Sequence, residues 1–426
     1  MSTSESKSNS SIPDKTNKDN KDNKEKDADE LKIEFAKRIE KYLEGGNPSL
    51  RVEGKTKEFE LRFGINTKYG GGRPISKLDY DNVVKQIMSQ GFSTKNADGL
   101  EMLRIYSEYT DKQTGQVRVS NIRAELLGVD MIQEYCKSNS LDKIALNSLK
   151  QTNKVKFTKK VSPKGEDGRF QRPIDFNDMN FRVAYQFEQD FNITSPFINN
   201  IVSKWTDNKK NFRNINRVRF EHPELPVFVD ISIIRTNKKS NKVPILTYTI
   251  QDSKVFENTP SYEIELELDN SRVGMGTNYE SGEQIMGALR KCIRMILSGI
   301  QGSNYPIPFS ERNHVYTSYM TMLHGKDAAD GFKRISPANF IGPDSYTLQL
   351  ENIVSDNSDT NVPNIRQDYS VTDKADGDRK MLFVNEEGRI YYIDKNMNIT
   401  FTGCKTAEKT IFMSLIDGEH IKYDKT

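Results

Sequence analysis

The feature that most constrains the fold is a period-two alternation of apolar and polar residues from about residue 52 to 270. Gly, Pro and Asn clusters cut it into short segments, and such segments are typical of antiparallel β-strands. Hairpin-like links between them favour a closed barrel over parallel βαβ winding. The predicted strands are 57–64, 101–109, 116–124, 153–161, 180–190, 213–221, 226–235, 244–251 and 261–269.

Helical spacing surrounds this strand-rich region. Apolar residues recur at four-residue steps from Leu31 to Leu43 and predict a lead-in helix. A second helix is predicted from Ser76, a favourable N-cap, to Gly91, and a third over 281–299. Helices that flank an antiparallel barrel place the chain in the α+β class.

Composition divides the chain into four predicted parts. Residues 1–30 are mostly Ser, Asn, Lys and Asp, so we expect a disordered polar tail. Residues 31–300 are predicted to form the barrel domain, and 301–345 a linker punctuated by prolines. Residues 346–426 begin a second strand-rich segment that is short for an independent domain.

Cysteine and histidine usage limits the kind of metal site. The cysteines Cys136, Cys292 and Cys404 are far apart and form no CxxC pair, and the four histidines are scattered. A disulfide framework and a zinc site are therefore disfavoured, and any metal should be a hard cation held by carboxylates. The net charge is only +3, and no signal-peptide core is present. No apolar run approaches about 18 residues, so we expect an intracellular protein without a membrane span.

Two glutamate-rich segments carry the strongest chemical signal. Residues two apart in a strand share a face, so Glu58, Glu60 and Arg62 lie together, as do the three glutamates of 263–267. An ordinary amphipathic strand with a solvated face explains either segment alone. Like charges along one face repel, however, and two acidic segments of the same kind suit a shared divalent cation.

Cationic faces lie on the strands between these two segments. If the charged faces point into a barrel, their burial is prohibitive unless the charges pair with one another or bind a ligand. A metal ion together with a polyphosphate meets both needs. The shared faces are formed by Arg182 with Glu188, by Arg213, Arg217 and Arg219, and by Lys154, Lys156 and Lys160.

The glutamate segments resemble the triphosphate tunnel metalloenzymes, specifically the fungal and large-DNA-virus RNA triphosphatases that begin mRNA capping. The Glu-x-Glu of the family's first strand matches Glu58 and Glu60, with the following Arg-Phe-Gly, and the Glu-x-Glu-x-Glu of its last strand matches Glu263, Glu265 and Glu267. The resemblance implies an eight-stranded antiparallel tunnel with Mg²⁺ or Mn²⁺ on these five glutamates. It also implies hydrolysis of the γ-phosphate of 5′-triphosphate RNA to give 5′-diphosphate RNA.

The same resemblance assigns roles to other residues. Glu188 is similar to the residue that orients or activates the attacking water. Asp230 and Ser232 match an Asp-x-Thr/Ser strand of the family. Arg213 to Arg217 correspond to the family's Arg-x-Lys-x-Arg strand, but Ile215 replaces the lysine. Arg219 or a neighbouring lysine would then supply the phosphate contact of that lysine. The basic residues implied to bind phosphate are Arg62, Lys160, Arg182, Arg213, Arg217 and Arg219.

A second motif pair lies near the C-terminus. Lys374-Ala-Asp376-Gly is followed, about 40 residues later, by Asp417-Gly-Glu419. A lone tetrapeptide of this kind is commonly a charged turn, but the ordered pair resembles the covalent nucleotidyltransferases, which include capping guanylyltransferases. The resemblance implies that Lys374 attacks the α-phosphate of a nucleotide, while Asp376, Arg379 and Glu419 bind that nucleotide. These motifs do not distinguish GTP from ATP, and GTP is inferred only from the triphosphatase motifs upstream.

The family's later motifs have no place after His420. We therefore expect the front part of a longer capping enzyme, in which this segment is a truncated guanylyltransferase that does not complete GMP transfer alone. The expected partners are 5′-triphosphate RNA, GTP in the complete enzyme, and the missing C-terminal capping domains or a methyltransferase. We expect no DNA-specific site and no membrane contact, and a location in the cytoplasmic virus factory or the virion.

Two alternatives remain open from the sequence. In the first, the chain is a tunnel phosphatase that acts on free NTP, tripolyphosphate or another small triphosphate. In the second, it is a non-catalytic RNA-binding capping subunit that keeps the fold but hydrolyses nothing. All five glutamates are present, which disfavours the second alternative, whereas Ile215 leaves it open.

Overall fold

The computed structural model describes most of the chain from residue 28 onwards. The described residues are 28–46, 48–50, 54–65, 72–111, 113–142, 144, 154–165, 168–192, 194–241, 243–326, 336–341, 347–354, 364–366, 370–371 and 375–421. The helices are α1 (Ala28–Leu43), α2 (Lys77–Ser89), α3 (Val129–Ser138), α4 (Pro196–Ser203), α5 (Ile250–Ser253), α6 (Gly282–Gln301) and α7 (Phe309–His324). The strands are β1 (Lys55–Phe63), β2 (Leu100–Thr110), β3 (Val117–Leu127), β4 (Val155–Val161), β5 (Ile174–Phe176), β6 (Phe181–Phe191), β7 (Lys210–Glu221), β8 (Val227–Thr236), β9 (Lys239–Ser240), β10 (Val243–Pro244), β11 (Ser261–Leu268), β12 (Asp378–Val384), β13 (Arg389–Asp394), β14 (Ile399–Lys405) and β15 (Ser414–His420).

Eight antiparallel strands close into a barrel. Their order is β1-β11-β8-β7-β2-β3-β4-β6, and β6 pairs back onto β1. The short β5 extends the β4 side of β6 beyond the end of β4. The predicted α+β class and eight-stranded antiparallel barrel are therefore confirmed.

One predicted strand is wrong. The segment 244–251 contains only the end of the two-residue strand β10 and then enters α5. Thr249 caps this helix, because its side chain accepts a hydrogen bond from the backbone N–H of Asp252. Side-chain capping at a helix start competes with extended backbone, so the apolar residues here did not form a strand.

Two apolar clusters cover the outside of the barrel. The first packs α1, α2 and α6 against β1, β6, β8 and β11, and it buries Phe59 and Leu61 completely. The second packs α3, α4 and α5 against β2, β3, β4 and β7, around Trp205 and Phe157. Because alternate strand residues face opposite sides, an apolar outer face leaves the charged residues facing the lumen.

Helices α2 and α6 begin at the predicted residues, whereas α1 begins at Ala28, within the predicted polar tail. Ser76 and Ser281 each form a capping box, with Asp79 and Gln284 as the reciprocal partners. Helix α6 crosses α2 at Gly299, where an added Cβ would lie 2.7 Å from the Cα of Val83. A glycine at this crossing lets the two helices approach closely over the barrel wall.

A four-stranded antiparallel sheet, β14-β13-β12-β15, forms the C-terminal part of the described chain. Helix α7 lies within the stretch predicted as a linker, and its Val315 and Tyr319 pack against Phe383 and Tyr391 of this sheet. None of the helices in the described ranges is long and apolar enough to cross a membrane.

Candidate active site

The two glutamate strands are neighbours in the barrel. β1 pairs with β11 so that Glu60 lies opposite Glu267 and Arg62 opposite Glu265. On β1 the outward residues Phe59 and Leu61 are buried in the first apolar cluster, which directs the charged residues inward. The predicted shared faces are confirmed, and carboxylates of both strands meet in the lumen.

Lys160 joins the two glutamates of β1. Its Nζ donates to Glu58 Oε1 at 2.8 Å and to Glu60 Oε2 at 2.9 Å, reaching from β4 across β6. Burial, reinforced by the nearby charge of Glu265, raises the pKa of Glu60. Burial alone would lower the pKa of Lys160, but the charges of Glu58 and Glu60 outweigh it and raise the pKa. The ammonium is therefore held firmly in its charged form.

Arg62 links β1 to β11. Its guanidinium lies 2.9 Å from Glu263 Oε2, 2.9 Å from Glu265 Oε1 and 3.5 Å from Glu60 Oε1. Arg213 of β7 reaches the same oxygen of Glu263 from the other side. One arginine thus touches glutamates of both acidic strands.

Arg217 and Arg219 of β7 converge on Asp230, which is 1% exposed. Arg217 donates to Asp230 Oδ2 at 2.9 Å, to Ser232 Oγ at 3.1 Å and to Glu265. Arg219 donates to both Asp230 oxygens at 2.7 Å and to Glu267 Oε2 at 2.8 Å. Asp230 therefore orients both arginines toward the glutamates of β11.

Two neighbouring glutamates of β11 have opposite electrostatic environments. Burial would raise the pKa of Glu265, but Arg217 and the other cations around it lower that pKa to about 2. Burial raises the pKa of Glu267 to about 8, and Arg219 offsets only part of this effect. The surrounding cations therefore favour the ionised form of Glu265, whereas burial favours the protonated form of Glu267.

A second set of ion pairs lines the opposite wall, and the sequence prediction missed most of it. Glu125 Oε1 lies 2.7 Å from Arg104 Nε and accepts from Arg123 Nε at 2.6 Å. Arg123 Nη2 donates to Glu188 Oε1 at 2.7 Å. The sequence feature that could have predicted these ion pairs is the Arg-x-Glu spacing of Arg123 and Glu125, which places both side chains on one face of β3. The predicted water-orienting Glu188 is thereby fixed by an arginine on β3.

Two cations of the predicted charged faces pair with other carboxylates, and one of them, Arg182, was predicted to bind phosphate. Arg182 is on the lumen side of β6, but its guanidinium is bound to Asp175 of β5, at 2.6 Å and 2.9 Å. Lys154 pairs with Asp130 at the start of α3. Neither side chain pairs with the glutamates of β1 and β11 in the described structure.

Ile215 forms part of an apolar row within the lumen. It is fully buried, and it packs with Met102 of β2, Ile234 of β8 and Leu127 of β3. The register pairs Ile215 with Met102 and with Ile234. The side chains around it are apolar, so a lysine at this position would bury its ammonium without an anionic or hydrogen-bonding partner.

A divalent cation needs several carboxylate oxygens at one point of the lumen. Among the described residues, no three His, Cys, Asp or Glu side chains converge as a metal-binding group, because cations separate the lumen carboxylates. The donors themselves are hard carboxylate oxygens, the type that Mg²⁺ and Mn²⁺ bind. Glu58 Oε2 is buried without a hydrogen-bond partner, beside the paired oxygens of Glu58 and Glu60. The chemistry of these oxygens fits a divalent cation.

The C-terminal motif pair comes together at the end of two strands. Arg379 of β12 lies opposite Glu419 of β15 and binds Asp417 at 3.0 Å and 2.7 Å. Glu419 Oε1 accepts from the backbone N–H of Gly377 at 3.2 Å, next to Asp376. Lys374 lies outside the described residues. The structure therefore joins the two motifs, while the role of the lysine stays a prediction.

Comparisons with known proteins agree with these motifs. No known family profile matches the chain. A probable mRNA-capping enzyme of Acanthamoeba polyphaga mimivirus is 29% identical over 162 residues, a match that covers 38% of this chain and 11% of the relative. The chain thus spans only a small part of the length of that relative.

Two solved structures are also similar in part. One is the Schizosaccharomyces pombe Pct1 RNA triphosphatase, with 13% identity, a TM-score of 0.30, and coverage of 67% of this chain and 94% of that chain. The other is the same protein in complex with the Spt5 CTD, with 12% identity, a TM-score of 0.27, and coverage of 64% and 92%.

Proposed function

We propose that this chain removes the γ-phosphate from 5′-triphosphate RNA, the hydrolysis that precedes guanylyl transfer in mRNA capping. The observation that carries the proposal is the charged lumen of the barrel, in which buried carboxylates and buried cations face one another. Burying ionised groups costs several kcal/mol per ion even when they pair, so a purely structural barrel gains little from this arrangement. A polyphosphate and a divalent cation are ligands that use both kinds of charge.

The arginines can bind phosphate without large movement. Each guanidinium of Arg62, Arg217 and Arg219 now donates to carboxylates. Phosphate oxygens accept the same charge-assisted, bidentate hydrogen bonds, so an incoming phosphate replaces one anionic partner with another. Because charge spreads over the phosphoryl oxygens in a loose transition state, several fixed donors around one group lower the barrier.

Glu58, Glu60 and Glu267 would hold the divalent cation, since Lys160 already joins the first two and Glu267 lies opposite Glu60. When bound, Mg²⁺ or Mn²⁺ would shield the negative charge of the phosphate and polarise its oxygens. Glu188, whose Oε1 is held by Arg123, would orient a water molecule with its other oxygen and accept its proton.

Two features support an RNA end as the substrate. The C-terminal sheet brings together the residues Asp376, Arg379 and Glu419 of a nucleotidyltransferase-like motif. The mimivirus relative is a probable capping enzyme. In the complete enzyme, Lys374 would take GMP from GTP and pass it to the 5′-diphosphate RNA that the barrel produces.

The test measures phosphate release from γ-labelled triphosphate RNA, free GTP and tripolyphosphate, with Mg²⁺ or Mn²⁺. We expect release from RNA, and a loss of about 100-fold or more in Glu60→Gln and in Glu265→Gln. Glu257→Gln, on the exposed surface, is the matched control and should retain full activity. Hydrolysis of small triphosphates but not of RNA would show that the substrate is a small triphosphate. No hydrolysis of any of the three substrates would support a non-catalytic binding subunit instead.

A further inference from the structure

Lys160 differs from the other cations of the lumen. Among the described cations that pair with the carboxylates of β1, β3, β6, β8 and β11 in the lumen, it is the one lysine, and its ammonium contacts both glutamates of β1 within 2.9 Å. Four of the six arginines have two or more partners each; Arg217, for example, binds Ser232, Asp230 and Glu265. Lysine carries a point charge on a flexible four-carbon stem, so it is the cation that can change partner with the least rearrangement.

We propose that Lys160 occupies the metal position when no divalent cation is bound and, when such a cation takes that position, turns to bind the phosphates of the substrate. This role rests on the proposed function, and it specifies that the metal binds before the phosphate. Lys160 is thus a positioning residue that makes phosphate binding depend on prior metal binding.

The two cations cannot share the position. The ammonium lies 2.8 Å and 2.9 Å from its carboxylate oxygens. A Mg²⁺ or Mn²⁺ ion needs oxygens of the same carboxylates at roughly 2.0–2.2 Å. Two positive charges a few ångströms apart in a low-dielectric lumen repel strongly. The ammonium of Lys160, which sits on a flexible side chain, is therefore the one that leaves. The unpartnered Glu58 Oε2 offers the incoming cation a further oxygen that Lys160 does not use.

The surroundings of Lys160 suggest where the freed side chain goes. Its ammonium contacts Glu60, which lies directly opposite Glu267 of β11, so it is already next to the acidic face of that strand. On that face Glu265 and Glu267 hold arginines, Arg217 and Arg219, that would grip the substrate. A lysine released from Glu58 and Glu60 therefore lies within reach of the same phosphate group.

The test separates metal binding from phosphate binding in the full chain. Calorimetric titrations would measure Mn²⁺ affinity, and the affinity for imidotriphosphate, a ligand that resists hydrolysis, with chelator and with saturating Mn²⁺. Lys160→Met removes the charge, and Lys160→Gln is the second variant because its amide still donates to a glutamate and supports folding. Lys159→Met is the matched control, because Lys159 is adjacent on β4 but faces away from the lumen.

We expect Lys160→Met to bind Mn²⁺ about tenfold more tightly than the natural chain, since no ammonium has to leave. Imidotriphosphate affinity should be unchanged in chelator and should fall about tenfold with Mn²⁺ present. The control should match the natural chain throughout. Equal losses with and without Mn²⁺ would overturn the proposal, because Lys160 would then face phosphate before the metal arrives. No loss under either condition would also overturn it and leave Lys160 a structural counter-ion.

These measurements need no catalysis, so they stand apart from the proposed function. If RNA is hydrolysed but the binding pattern is absent, only the role of Lys160 fails. If the binding pattern appears but no phosphate is released from RNA, the proposed function fails instead.

Discussion

Replacing Glu267 by glutamine should remove most of the pH dependence of stability that the metal-free protein shows between about pH 4.5 and about pH 8. The carboxyl group faces Arg219 of β7, Asp230 of β8, Glu58 of β1 and Lys160 of β4. Burial raises its pKa from 4.5 to about 8, because the single arginine does not compensate for lost hydration and two nearby carboxylates. The folded protein therefore binds a proton at Glu267 that the unfolded chain has already released at neutral pH.

The sign and size of the effect follow from linkage. A group whose pKa is higher in the folded state stabilises the fold at low pH, and this contribution is lost as the pH rises from 4.5 toward about 8. The full shift corresponds to roughly 5 kcal/mol as an upper limit. The Glu267 side chain keeps 28% of its exposure, so water screens part of the cost. We expect a loss of about 2–3 kcal/mol for the natural chain across this range.

The assay is urea unfolding in chelator at a series of pH values. The natural chain should become less stable as the pH rises, whereas Glu267→Gln should show a nearly flat profile. Glu257→Gln, at an exposed position, should follow the natural chain. Parallel profiles for the natural chain and Glu267→Gln would refute the reasoning, as would stability that increases above neutral pH.

Three further substitutions test the lumen. Ile215→Lys should lower the free energy of unfolding by roughly 3 kcal/mol, because it buries an ammonium beside Met102, and it should not raise RNA hydrolysis. Arg217→Met should cost roughly 3 kcal/mol and reduce phosphate release about 100-fold, since two buried carboxylates lose a partner. Arg123→Met should slow phosphate release about tenfold by freeing Glu188, with little change in the Michaelis constant for RNA. Urea unfolding and steady-state kinetics check all three, and Ile215→Lys with higher activity would contradict the apolar role.

Much of the barrel follows from local sequence. A strand with period-two alternation must place its apolar face on a core, so Phe59 and Leu61 determine where Glu58 and Glu60 point. The starts of α2 and α6 follow from Ser76 and Ser281, whose side chains cap the first turn. These features depend only on residues within one element.

The remaining features depend on neighbours that sequence spacing does not reveal. Arg104 meets Glu125 because β2 and β3 pair in a register that shifts at a bulge between Tyr106 and Glu108. A one-residue change in register moves every side chain to the other face, so this ion pair could not be predicted without the turn geometry. Helix α4 has only eight residues, too few for a clear helical period, and was missed for that reason.

The ion pairs also constrain how the lumen can accept a ligand. Among the described residues, the ion pairs that connect these strands join eight carboxylates and seven cations: Glu58, Glu60, Glu125, Glu188, Asp230, Glu263, Glu265 and Glu267 against Arg62, Arg104, Arg123, Lys160, Arg213, Arg217 and Arg219. The charges are almost balanced before any ligand enters. A bare triphosphate would add about four negative charges to a site with no surplus of cations, and this is unfavourable at low dielectric. A polyphosphate therefore needs an accompanying divalent cation, or a proton on a group such as Glu267, to enter. The same near-neutrality explains how a barrel with so many buried charges can fold before it meets its substrate.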